Sequence, residues 1–293
     1  MMLTFHGKEA AKTALIKDLE IHAKYDEFTK GTYHAKYTTK KGVQRFKGCA
    51  VGCTIGKGSV DAIGIHKRFE HYYGIPSFLA HIEDDVFERL PLIPSKSWPL
   101  DFAKAVPVGV DLTGFEDKML RTLIRRKKVM DVFKRHMTEA SVANLTEKLK
   151  RKDFPIKYAV DDLRADMSRE RAARVGMRKL FASYLSDRNS NAMVWGLCIL
   201  ATADADAIEH AYSVTGYAVL QDKASMFLAR LTLQLLRSYK EPKESVTPDK
   251  AFTSLVRAGI RSVPYFSQIP KKYRPMSEGR YKILLSMNAE TSL

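Results

Sequence analysis

Cys49 and Cys53, followed by His66 and Glu70, are the residues whose types could carry covalent or metal chemistry. A nucleophilic thiol needs a base to take its proton and a group to orient that base. His66 can supply the base for Cys49 or Cys53, and Glu70, one helical turn on, the orienting carboxylate. The acids Glu83, Asp84, Asp85 and Glu88 stand nearby in sequence, where they also read as a solvated helix face. His66 has an equally simple reading as a helix histidine paired with Glu70 at i,i+4.

Cys49, Cys53, His66 and His71 also fit C-x3-C-x12-H-x4-H, the spacing of a small zinc finger. Lys57 stands where such a module keeps a core phenylalanine. An extended run from 49 to 53 would set the two cysteine Cα atoms roughly 13 Å apart, at about 3.3 Å per residue. One zinc ion would then need a turn at Gly52 or a helical turn to reach both sulfurs. The simpler expectation is two small buried cysteines and no cofactor.

Phosphate chemistry has two further candidates. Gly56-Lys57-Gly58-Ser59 precedes a helical pattern, and Lys57, Gly58 and Ser59 could present N–H groups and a charge to an anion, or form a plain turn and cap. It is not a Walker loop, because glycine follows the lysine. The net charge of +16 is the stronger signal. Residues 118–152 hold twelve Lys/Arg against three acids, and residues 250–282 eight against one, a net +9 and +7 that equal the whole excess. Lys118, Arg121, Arg125 and Lys128 are spaced as one helix face, reinforced by Arg126 and Lys127. The tail adds Lys271, Lys272 and Arg274 among tyrosines and phenylalanines, a mix suited to backbone contact and base stacking. The alternative is that both segments meet acidic patches of the same fold or of a partner protein.

The elements that must position these residues read as mainly α, with a small β-hairpin in the N-terminal part and a helical bundle in the C-terminal half. Residues 8–30 have helical spacing up to Gly31. Thr32–Thr39 and Val43–Val51 flank Lys40-Lys41-Gly42 as a hairpin. Ser59 caps a helix that runs to Tyr73 and ends at Gly74. Pro76 opens another, with Phe78, Ile82, Val86 and Leu90 four apart. Pro91–Pro99 reads as a proline-rich connector. Helices then follow, among them residues 160–186, 191–202, 205–220 and 222–239, before a charged linker over 240–250. Asp153-Phe154-Pro155 is the expected boundary between an α+β domain, 1–154, and a helical domain, 155–293.

Gly48-Cys49-Ala50-Val51-Gly52-Cys53, His66 with Phe69 and Glu70, and Gly74-Ile75-Pro76 together resemble a group of uncharacterised bacterial and bacteriophage proteins. Leu79-Ala80, Glu83-Asp84, Phe87-Glu88, Leu90-Pro91 and Pro107–Leu112 continue the likeness. Here residues 35–46 form an insertion, and His71 falls outside the pattern. The resemblance implies a mobile-element origin and brings no activity.

An apolar fraction of 45% fits a globular chain. The longest apolar run, residues 192–203, is shorter than the roughly 20 residues of a membrane span, so no membrane is expected. Three sparse cysteines predict a reducing compartment, the cytoplasm, or a host's cytoplasm if a phage encodes the chain. The resulting expectation is sequence-indifferent binding of nucleic acid or another polyanion. Its rivals are a cysteine/histidine enzyme acting on a phosphorylated substrate and a structural module with an acidic protein partner.

Overall fold

The helical spacing near the N-terminus becomes α1, Glu9–Lys24, in the computed structural model, which describes residues 2–55, 64–159, 190–202 and 214–240. Its inward stripe is Ala11, Leu15, Asp18, Leu19 and His22. The helix stops well short of Gly31, because Asp26, at φ +53, turns the chain inward. Glu27 and Phe28 are thereby buried, and Phe28 forms an isolated parallel bridge with Gly48.

The hairpin forms as β1, Ala35–Thr38, and β2, Gln44–Lys47, paired antiparallel from Ala35 with Lys47 to Thr38 with Gln44. Gly42, at φ +75, supplies the left-handed residue of its turn. The second strand is shorter than expected, since Ala50–Ile55 is already a helix, α2. Glu27 ties the hairpin to the body. It accepts hydrogen bonds from His22 Nδ1 at 2.8 Å, Tyr37 Oη at 2.8 Å, and Arg45 Nε and Nη2 at 2.5 and 3.0 Å.

After residues 56–63, which lie outside the described part together with the expected cap at Ser59, comes α3, Ile65–Tyr73. Gly74 ends it at φ +61, and a side chain there would strike the carbonyl of Leu3. Pro76 sits just before α4, Ser77–Arg89, at extended ψ, so it precedes the first helical residue. Leu79, Ala80, Ile82, Glu83, Val86 and Phe87 are all buried, because α2, α3 and α5 surround this helix.

The expected connector at Pro91–Pro99 is itself helical: α5 runs Leu92–Ala105. Pro94 lies in its first turn, where no N–H is needed, and only Pro99 costs an internal hydrogen bond. Burial of Ser95, Trp98, Phe102 and Ala103 against α1 and α4 outweighs that loss. Thr4 closes the unit, its N–H bonding Val110 O at 3.0 Å and its hydroxyl Pro107 O at 2.6 Å.

The chain divides into two compact units, Met1–Thr113 with Leu233–Leu293, and Gly114–Thr232. Asp153-Phe154-Pro155, the expected boundary, lies within the second. That unit contains α6, Phe115–Ile124; α7, Lys127–His136; α8, Glu139–Lys150; and α9, Ser190–Thr202. Thr138 caps α8, its hydroxyl accepting the Ser141 N–H at 3.2 Å. α9 is buried almost all round and packs on α6 and α7. Helix α10 runs Val214–Arg237 without the break expected near residue 221. The helix expected over 160–186 and the tail beyond 240 lie outside the described residues. The protein is mainly α with a small N-terminal hairpin. Among the described residues, no helix is long and apolar enough to cross a membrane.

Candidate functional site

The Gly-Cys-Ala-Val-Gly-Cys run folds where it does because the backbone of Tyr33 crosses it. A methyl group at Gly48 would lie 2.2 Å from the Tyr33 carbonyl oxygen, and one at Gly52 only 1.7 Å. Cys49 N–H donates to Thr32 O at 2.6 Å, and Cys53 N–H to Cys49 O at 3.0 Å, so the segment between the cysteines is a helical turn. Cys49 Sγ accepts the Gly52 N–H at 3.4 Å. Cys53 Sγ faces backbone instead, toward Gly48 O at 3.5 Å and Glu27 O at 3.9 Å.

Cys49 meets two carboxylates. Its Sγ and one oxygen each of Asp84 and Glu88 lie within 4.8 Å of one another. Asp84 and Glu88 are four apart on α4 and so share a face. Asp84 Oδ2 lies 3.3 Å from His66 Nε2, while Asp84 Oδ1 is buried with no hydrogen-bond partner. The His66 ring stacks on His81, with centroids 3.6 Å apart and planes 21° from parallel. Both Glu88 oxygens accept the Gly31 N–H, at 3.1 and 2.9 Å.

The electrostatics follow from burial and like charge. Burial pushes the Cys49 thiol well up, and the Asp84 and Glu88 charges push it further. Burial also raises Glu88, against the Gly31 N–H that favours its charged form. His81 falls to about 4, through burial and then the neighbouring His66, with Asp84 opposing. Glu83 is fully buried, with Thr54 Oγ1 at 3.2 Å on one oxygen and no partner on the other. Burial, then Asp84, holds it well above the usual carboxylate range.

This arrangement corrects the expected constellation. Glu70 does not serve His66; its carboxylate accepts the Ser77 N–H at 2.8 Å and caps α4. Asp84 takes the place beside His66. Burial first, and then the two carboxylates, raise the Cys49 thiol, the reverse of the activation expected of a nucleophile. The zinc-finger set fails as well, with Cys53 turned to carbonyls and His71 exposed. The acids of α4 are not one solvated face, since Glu83 is wholly buried. Sequence reasoning missed His81, and placed Asp84 and Glu88 only nearby. Their spacing of three and four from 81 to 84 to 88 was the available signal. Lys57, Gly58 and Ser59 lie outside the described residues, as do Lys271, Lys272 and Arg274.

The basic stripe is also rearranged. The chain leaves the helix at Arg125-Arg126, where Arg126 has ψ 132, so Lys118, Arg121, Arg125 and Lys128 do not share one helix. Arg121 bonds Asp117 Oδ2 at 2.5 Å, Leu149 O at 3.1 Å and Phe154 O, while Arg125 reaches Leu149 O at 2.7 Å. Two guanidiniums thus satisfy carbonyls at the C-terminal end of α8, a local role. Lys118 is half-buried, and burial lowers its pKa. Arg125, Arg126, Lys127 and Lys128 remain exposed, with the Arg126 guanidinium 5.4 Å from the Phe227 ring centre. No protein-family model, curated protein or solved structure matches the chain.

Proposed function

We propose that the protein binds nucleic acid as a polyanion, without reading its sequence, through the cationic face of α7 and the corner that precedes it. The carrying observation is the division of α7. Val129, Val132 and Phe133 are buried, whereas Lys127, Lys128, Lys134 and Arg135 are exposed. Those four cations lie in two pairs seven residues apart, hence on one side of the helix, with Asp131 the one acid among them. Arg126 extends the row from the corner. Arg121 and Arg125 are instead engaged with carbonyls at the end of α8.

Phosphate contacts made by such a row release counterions, so affinity falls with salt by roughly 0.9 log units per log unit for each phosphate neutralised. The test is fluorescence anisotropy on a labelled generic duplex and single strand between 50 and 200 mM salt. Reversing Lys127, Lys128, Lys134 and Arg135 to glutamate abolishes binding on this reading. Undiminished binding by that folded variant rules the site out. If co-purifying material is instead protein that resists nuclease, the surface serves an acidic partner.

A further inference from the structure

We propose that Cys49, Asp84 and Glu88 bind one divalent cation of the zinc class, through one thiolate and two carboxylates, with a further coordination position open. The proposal is independent of the nucleic-acid reading, and the two sites belong to different units.

Tetrahedral bonds of about 2.3 Å to sulfur and 2.1 Å to oxygen hold ligand atoms roughly 3.5 Å apart, so donors now within 4.8 Å of one another must close by up to about 1 Å on binding. The donors come from two separate elements, the residue ahead of α2 and one face of α4. The carboxylates are also oriented from outside, as ligand carboxylates are. His66 stands on Asp84 Oδ2, and the Gly31 N–H holds Glu88. A second observation points to a missing ligand. The Asp84 side chain is part-exposed, but its Oδ1 is itself covered and has no hydrogen-bond partner. The Tyr33 phenol oxygen is buried without a partner too.

A cation resolves what the protein groups alone leave opposed. It draws the two carboxylates, and the thiolate formed on binding, to one centre and supplies Asp84 Oδ1 with a bond. When Sγ binds, the thiol proton leaves to solvent, so uptake strengthens as pH rises.

The test uses the full chain, stripped with a chelator and titrated with cobalt(II), whose bond to thiolate gives a charge-transfer absorption band. One cobalt per chain with that band is expected, and zinc should displace it. Cys49→Ser should abolish the band, while Cys53→Ser and Cys198→Ser keep it. His66→Ala should weaken uptake by about 10–100-fold through loss of Asp84 orientation. No band, or a band that survives Cys49→Ser, overturns the site. Should Cys49→Ser fail to fold, the wild-type chain still decides the matter. Alkylation mapped by mass spectrometry should slow at Cys49 at least tenfold with zinc, and an equal rate with and without zinc overturns the proposal.

Discussion

Gly52 sits inside a helix, where alanine normally stabilises by roughly 0.5–1 kcal/mol. Here the sign reverses, because the added methyl would meet the Tyr33 carbonyl at 1.7 Å and backbone must move. Gly52→Ala is expected to cost about 3 kcal/mol, an overpacking penalty at its upper range, read as a lowered urea midpoint. Glu27 gives a second residue-scale prediction. Burial pushes its carboxyl up, yet hydrogen bonds from His22, Arg45 and Tyr37 outweigh that and bring it to about 2. Glu27→Ala removes the buried acceptor shared by His22, Tyr37 and Arg45 and should cost about 1–3 kcal/mol by thermal or urea unfolding. A loss under 1 kcal/mol in either variant contradicts the assignment.

Among the elements, those with unambiguous punctuation were legible in the sequence. Gly74 marks the end of α3, Gly42 the hairpin turn, and the four-residue spacing of Ile82, Val86 and Leu90 the course of α4. Proline misled in α5, because local punctuation cannot reveal how much surface a segment will bury on its neighbours. The candidate site was half legible. Cys49 and His66 stand out by type, but their meeting point on α4 depends on how three helices pack, which spacing along one strand of sequence does not encode. The basic stripe is split between two helices for a related reason, since a single non-helical residue, Arg126, redirects everything after it. Arg121 tests the element-level account. Arg121→Ala should destabilise by about 1.5–3 kcal/mol in urea, and Arg121→Lys should rescue little, because an ammonium lacks the planar fork that reaches Asp117, Leu149 and Phe154 together. Once folded, the alanine variant should keep its salt-sensitive nucleic-acid binding. Loss of binding without loss of stability would return Arg121 to the phosphate surface.

The whole molecule should weaken in acid by a route set by histidines before carboxylates. Burial lowers His6 to about 4, and burial with His66 does the same to His81. Unfolded, both take up protons near 6.5, whereas the folded state does not until about 4. The unfolded state therefore binds more protons across that window, and stability falls as pH drops from about 6.5 to 4. Glu27 adds a later loss, beginning near its unfolded value of 4.5 and ending near 2. A change in urea midpoint between pH 7 and 4.5 that is the same after His81→Gln would contradict this order. Glu83 acts oppositely: raised by burial, it contributes most below 4.5 and loses that contribution as rising pH ionises it.

The Tyr33 crossing brings the two ends of residues 35–47 together, since Tyr33 lies against Gly48 just where the hairpin begins and returns. The hairpin is therefore a loop whose stem is fastened independently of its length, and a short glycine bridge could replace it. Excision, however, would take Tyr37 and Arg45 away and leave the acid at 27 with His22 alone. A trimmed chain should fold poorly with glutamate there and recover with glutamine, which makes the appendage and that one interior charge a pair to be kept or removed together.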